Sequence, residues 1–222
     1  MTNVLDRHEL HRLSTDWLPA PDGGTRSRPD TVLRRAVEIT ACMMLLILTF
    51  PVMLCAAIAI RLGGGGPVVF RQQRTGLHGV PFMVLKFRTM GANAEADGPV
   101  WAAVDDSRIT KVGAVLRKAR IDELPQLFNV LRGEMALIGP RPERPHFVEL
   151  LAIELPCYRD REVVKPGITG WAQVRYGYGS SVEDARRKLE FDLHYIQHRS
   201  MLLDLLILLL TVRVVLLWKG AR

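Results

Sequence analysis

The sequence predicts an α+β fold that is mostly helical and attached to a membrane. Three observations predict it. Residues 39–60 carry no charge and are long enough to cross a bilayer. Several later segments repeat apolar residues at helical spacing. Only two short runs, 68–72 and 82–87, alternate as strands do. A chain of 222 residues can bury the core of one domain. Its net charge of +7 points to an anionic partner: nucleic acid, anionic lipid or a phosphorylated substrate. Nucleic acid is set aside, because long apolar segments accompany the charge and no nucleic-acid motif is present.

Residues 1–31 are polar and rich in proline and glycine, and they lack the apolar stretch of a secretory signal. They are expected to form a disordered cytoplasmic arm. Residues 32–62 form the membrane segment. Arg34 and Arg35 flank one end of its apolar stretch and Arg61 the other, which favours both ends on the cytoplasmic side. Pro51, near the centre, removes a helix hydrogen bond and bends the helix. Two readings stay open on these residues: a re-entrant hairpin, or a straight span that tolerates its proline.

Residues 63–222 form the cytoplasmic, membrane-associated body. The two strands are joined through Gly76 and Gly79 and lead into KFRTM at 86–90. On a strand Lys86 and Arg88 share a face. Such a pair can hold a diphosphate, although a solvated strand face gives the same pattern. Residues 91–107 read as a long loop beside a site.

At 117–142, RKARIDELPQLFNVLRGEMALIGPRP, Asp122 and Glu123 precede an apolar-periodic helix expected at about 122–132. Pro125 falls in its first turn and Gly133 stops it. Arg117, Lys118 and Arg120 precede the carboxylates and Arg141 follows them. Acidic residues often open helices simply to complement the macrodipole. Within a collar of cations, they also suit chemistry on a phosphorylated substrate.

An amphipathic helix is expected at 146–161, followed by a loop in KPGITGWAQV at 165–174, where Trp171 or Gln173 could meet a base or sugar. Residues 182–198 read as a charged helix, with Asp192 either solvated or in a site. Asp204 and Arg213 interrupt the second apolar run, 201–218, so it reads as an interfacial helix with Trp218, Lys219 and Arg222 at headgroup level, or as a core helix. Cys42, Cys55 and Cys157 have no metal-ligand spacing, and two of them lie in the apolar run, against a disulfide framework.

KFRTM, R-x-x-x-x-DELPQLFNVLRGEM, GPRP, KPGITGWAQV and FDLHYIQ at 191–197, in that order, resemble the bacterial sugar transferases. These are monotopic polyprenyl-phosphate phosphoglycosyl transferases, and the resemblance runs from about Arg34 to the C-terminus. The ending VRVVLLWKGAR and the QVRYGYGSSVEDAR stretch are similar to the exopolysaccharide branch. The resemblance implies transfer of a sugar 1-phosphate from a UDP-sugar to undecaprenyl phosphate at the inner membrane, with release of UMP. It implies Mg²⁺ as cofactor, Asp122 as nucleophile and metal contact, and Glu123 as its helper. It assigns phosphate binding to Arg141 and Arg117, with Lys86 or Arg88 adding charge, and leaves Asp192 as a weaker candidate. It also implies the re-entrant hairpin at Pro51. One departure stands out: the family commonly has Ser before that proline, where this chain has Phe50, with Thr49 one residue earlier.

Two other classes compete. A non-enzymatic membrane anchor of a polysaccharide complex would not need the carboxylate pair. A glycosidase would, but adjacent carboxylates cannot flank a glycosidic bond. An apolar surface in the bilayer, among membrane lipids, is compatible with a homodimer.

Overall fold

The computed structural model describes residues 28–64, 66–91, 94, 106–177, 179 and 181–216. Most of the expected arm, most of the 91–107 loop, and Trp218, Lys219 and Arg222 lie outside the described residues.

Helix α1, Arg28–Gly64, runs through Pro51 without interruption. Among the described residues one helix is long and apolar enough to cross a membrane, residues 32–63 of this element. The two halves of α1 pack on the same body. On the first half, Cys42 is fully buried with Leu127 and Val130. On the second, Ala56 packs with Phe87 and Leu116. Between them the side chains are exposed, save for Leu46, Thr49 and Met53 on one face. The hydroxyl of Thr49 donates to the carbonyl of Leu45 at 2.7 Å. At the entry to α1, Arg35 donates to Glu38 at 2.6 Å and to the carbonyl of Val130 at 2.8 Å. Glu38 in turn accepts from the N–H of Leu137 at 2.8 Å.

Strands β1, Val69–Thr75, and β2, Pro81–Phe87, form an antiparallel hairpin with Val69 opposite Phe87 and Gln72 opposite Val84. Its turn carries Gly79 at φ +77°, a left-handed position that suits glycine. Helix α2, Lys111–Lys118, is capped by the hydroxyl of Thr110 on the N–H of Gly113.

The expected helix at 122–132 is divided. Asp122 and Glu123 sit in a separate 3₁₀ turn, Ile121–Glu123, and helix α3 is Gln126–Arg132. The cause is Pro125. It has no N–H to give to the Ile121 carbonyl, which instead accepts from Leu124 at 3.2 Å in a tighter turn. Gly133 ends α3 at φ +82°. Asn129, fully buried, holds α3 against β2. It donates to the Met83 carbonyl at 2.8 Å and accepts from the N–H of Leu85 at 3.0 Å.

Strand β3, Ala136–Ile138, pairs in parallel with β4, Gly167–Thr169. KPGITGWAQV is therefore not a plain loop: it supplies β4 and helix α5, Trp171–Arg175. Gly139, Gly167 and Gly170 bring backbone against backbone, and a Cβ on any of them would collide with main-chain atoms. Helix α4, Pro145–Glu154, is shorter than the expected 146–161, because Pro156 cannot continue it. A 3₁₀ turn, Tyr158–Val163, follows. Helix α6, Val182–His198, has the expected bounds and a capping box between Ser181 and Asp184. It packs Leu189 and Leu193 against Val148, Leu151 and Tyr158.

The second apolar run forms helix α7, Met201–Leu216, with one side chain fully in the core and several exposed. Ile207 is buried in the core, while Leu202, Leu205, Leu209 and Val212 face outward. The charge at Asp204 is resolved by pairing. It meets Arg34 at 3.2 Å and accepts from the Tyr195 hydroxyl at 2.8 Å.

Candidate active site

One open cavity of about 380 Å³ gathers residues from the β2 end, α2, the 3₁₀ turn, the GPRP loop, α5 and α6. Lys86, Arg88, Arg117, Asp122, Glu123, Arg141, Gln173 and Asp192 all line it. Pro51 lies elsewhere, in the exposed middle of α1.

The two adjacent carboxylates are treated differently by their surroundings. Asp122 is 8% exposed and Glu123 9%. Glu123 accepts from Arg141 at 2.6 and 3.4 Å, and lies 3.7 Å from the Lys86 ammonium and 3.9 Å from Arg120. Among the described residues Asp122 has no hydrogen-bond or ion-pair partner. Burial works to raise the Glu123 carboxyl, but Arg141 and then Lys86 overrule it and hold Glu123 well below the carboxylate range. Burial, reinforced by the charge of Glu123, pushes Asp122 up to about 6, against the pull of Lys86, Arg141 and Arg117. Burial also brings Lys86 down to about 8, with Glu123 opposing.

The backbone explains the presentation. Arg120 stands at φ +57° between α2 and the 3₁₀ turn, a costly position for a non-glycine residue. It reverses the chain, so that α2 ends and the carboxylates turn into the cavity. Arg117, on the last turn of α2, donates to the Thr89 hydroxyl at 2.8 Å and ties α2 to the end of the KFRTM motif. Arg88 lies just beyond β2 rather than on it, yet reaches the same cavity as Lys86.

Asp192 is a buried residue, 1% exposed, and not a solvated helix carboxylate. It accepts from Arg161 at 2.6 Å. Gln173 donates to the Ile168 carbonyl at 2.9 Å, which fixes its amide beside the cavity. Sequence reasoning missed Arg161, Tyr158 and Lys188, which also line the cavity. Nothing in local sequence marks them, because each comes from a segment distant from the carboxylates.

The donor set bears on a metal. Among the described residues no cluster of three or more His, Cys, Asp or Glu side chains converges. The oxygens of Glu123 are taken by cations, which leaves Asp122 as the free carboxylate. Mg²⁺ commonly binds through one or two carboxylates plus substrate phosphates, so these residues fit it together with a diphosphate ligand.

A free carboxylate beside a bound one, in a cation-lined cavity, suits a phosphorylated ligand. The chain belongs to the bacterial sugar transferase family, whose pattern it matches over residues 29–218. It is 47% identical over 190 residues to a UDP-N-acetylgalactosamine-undecaprenyl-phosphate N-acetylgalactosaminephosphotransferase of Aeromonas hydrophila, covering 86% of this chain and 45% of that one. It is 44% identical over 202 residues to a UDP-glucose:undecaprenyl-phosphate glucose-1-phosphate transferase of Caulobacter vibrioides, covering 90% and 76%. It is 44% identical over 195 residues to the uncharacterized sugar transferase EpsL of Bacillus subtilis, covering 86% and 91%. The chain thus spans under half of the Aeromonas protein and nearly all of the Bacillus one.

Proposed function

We propose that the protein transfers a sugar 1-phosphate from a UDP-sugar to undecaprenyl phosphate, releasing UMP, as the first membrane step of exopolysaccharide synthesis. The observation that carries this reading is the division of labour between Asp122, unpaired, and Glu123, bound by Arg141. A nucleophile must be free to approach phosphorus, and Asp122 alone of the two is free.

The first step forms a bond between a carboxylate oxygen of Asp122 and the sugar-bearing phosphorus. The bridging P–O bond breaks, and UMP leaves with the electron pair. In the second step a phosphate oxygen of undecaprenyl phosphate attacks the same phosphorus. The aspartyl–phosphorus bond breaks and Asp122 returns as a carboxylate. Arg117, Arg141, Lys86 and Arg88 would bind the diphosphate, and Glu123 keeps Arg141 and Lys86 in place. Mg²⁺, held by Asp122 with the diphosphate, would neutralise phosphate charge so that an anion can approach.

The membrane geometry proposed is a re-entrant hairpin bent at Pro51, with both ends of α1 on the cytoplasmic face of the inner membrane. The contacts of both halves of α1 with one body support it, as do the exposed side chains between them. The UDP-sugar then arrives from the cytoplasm, and the lipid phosphate meets Asp122 at the interface.

The test is UMP release from a panel of UDP-sugars, with undecaprenyl phosphate and Mg²⁺, in detergent-solubilised protein. Release by the wild type is expected, with loss in Asp122→Asn and in EDTA. Equal release by Asp122→Asn would refute the nucleophile. Silence across the panel would favour a non-enzymatic assembly partner. For the hairpin, single cysteines at Val32 and Leu62 in a background lacking the native ones should both react from the cytoplasmic side. Labelling from opposite sides would establish a straight span.

A further inference from the structure

The four carbonyls of the segment 140–143, from GPRP into Glu143, are held by three parts of the body: β4, the end of β1 and the 3₁₀ turn that carries Arg161. The carbonyl of Pro140 accepts from the N–H of Gly167 at 2.8 Å, that of Glu143 is bound by the N–H of Thr75 at 2.8 Å, and that of Pro142 by Arg74 at 3.1 Å. The carbonyl of Arg141 is held by the Nη2 of Arg161 at 2.9 Å. The same nitrogen donates to Asp192 at 2.6 Å, and Nη1 donates to the Tyr158 hydroxyl at 2.7 Å. The guanidinium lies 5.1 Å from the centre of the Tyr158 ring.

The Arg161 and Asp192 side chains are 9% and 2% exposed. A buried ion pair is a poor source of net stability, since an apolar pair of similar volume is often as stable or more so. Here one member of the pair also holds the backbone of the residue whose side chain grips Glu123. The fork of an arginine can serve a carboxylate, a carbonyl and a hydroxyl together, which a lysine cannot.

We infer that Arg161 and Asp192 are a positioning pair for the transfer: Asp192 aims Arg161, and Arg161 fixes Arg141 so that its guanidinium stays on Glu123 and leaves Asp122 free. This rests on the reading of Asp122 as nucleophile. In this account neither member touches the reacting atoms. Displacing a catalytic group by about 1 Å can cost about a hundredfold in rate, so a change here reaches the reaction without reaching the substrate.

Three variants test it, in full-length protein in lipid nanodiscs. Asp192→Asn keeps the shape and deletes the charge. Arg161→Lys keeps the charge and deletes the fork. The double variant Arg161→Met with Asp192→Leu removes the pair altogether, and it should fold even where a single variant leaves a buried charge unpaired. The first readout does not need turnover. In arginine-labelled protein the side-chain N–H of Arg141, assigned by its loss in Arg141→Lys, should be protected from exchange in the wild type and exchange at least tenfold faster in all three variants. The second is UMP release, where kcat should fall by ten- to a hundredfold while KM for the UDP-sugar changes less than threefold. Variants that melt as the wild type does but keep its Arg141 exchange rate would overturn the inference, whether or not any UMP is released. A rise in KM alone would also overturn it, making Asp192 or Arg161 a substrate contact. If the wild type releases no UMP while Arg141 exchange still responds, the reaction assignment fails and the positioning of Arg141 stands.

Discussion

The guanidinium of Arg141 lies 2.6 Å from a carboxylate oxygen of Glu123, and that contact leaves the neighbouring Asp122 as the carboxylate available to a ligand. Adjacent residues of the same chemical type are thereby given opposite electrostatic fates.

Asp122→Asn is expected to abolish UMP release and to raise stability. Asp122 is raised above its unfolded value, so its ionised form is penalised in the folded protein. That penalty is present in full above about pH 6 and fades as pH falls from there toward the ordinary aspartate value. The variant should therefore melt a few °C higher than wild type at pH 7.5, and at nearly the same temperature near pH 4. Thermal unfolding at both pH values checks the sign.

Lys86 titrates near 8 because burial disfavours its charge. As pH rises through that value the ammonium is lost and its attraction for a diphosphate goes with it. The expected profile of kcat/KM for the UDP-sugar has an alkaline limb near pH 8. Lys86→Arg should move that limb beyond the accessible range, because arginine keeps its proton. An unchanged limb in Lys86→Arg would exclude Lys86 as its source.

Asn129→Ala is expected to cost about 1–3 kcal/mol, since it strands the buried N–H of Leu85 and removes the donor to the Met83 carbonyl. In a chain of this size the melting temperature should drop by roughly 2–12 °C. Activity measured well below the transition should fall less than stability does, because Asn129 does not line the cavity.

Leu48→Asp places a charge at one of the most exposed apolar positions of α1, 76% exposed. Burying it in a bilayer costs about 2.5–3.5 kcal/mol on insertion scales. The fraction of protein recovered with membranes should fall, measured by flotation. The same change at Leu150, an exposed position of α4, should leave recovery unaltered.

Much of this was legible in the sequence, for identifiable reasons. The apolar stretch of α1, the two alternating strands and the α6 helix carry local patterns that tertiary contacts did not override. The chemistry of the DELPQ carboxylates and KFRTM cations left helix-dipole and solvated-face readings open, and the ordered motifs, through the family they resemble, singled them out. What stayed hidden depended on long-range geometry. Nothing near Asp192 says that Arg161, 31 residues away, will pair with it. The difference between Asp122 and Glu123 also depends on Arg141, 18 residues beyond Glu123. The strand within KPGITG was missed because three residues carry too short an alternation, and its partner is β3, far upstream. The division of the 122–132 helix was in principle readable, since Pro125 removes a donor that the first turn needed.

The anchoring of α1 also sets an order of events in synthesis. Arg35 and Glu38 find their partners at Val130 and Leu137, 95 and 99 residues later in the chain. Ribosomes add residues at about 5–20 per second, so α1 emerges several seconds before the surface it packs against exists. In that interval the helix has no protein to cover its leucines, and lipid is the solvent that can. Nascent chains released without a membrane present should accordingly aggregate through α1 before the body has formed, and supplying vesicles during translation, rather than afterwards, should rescue them.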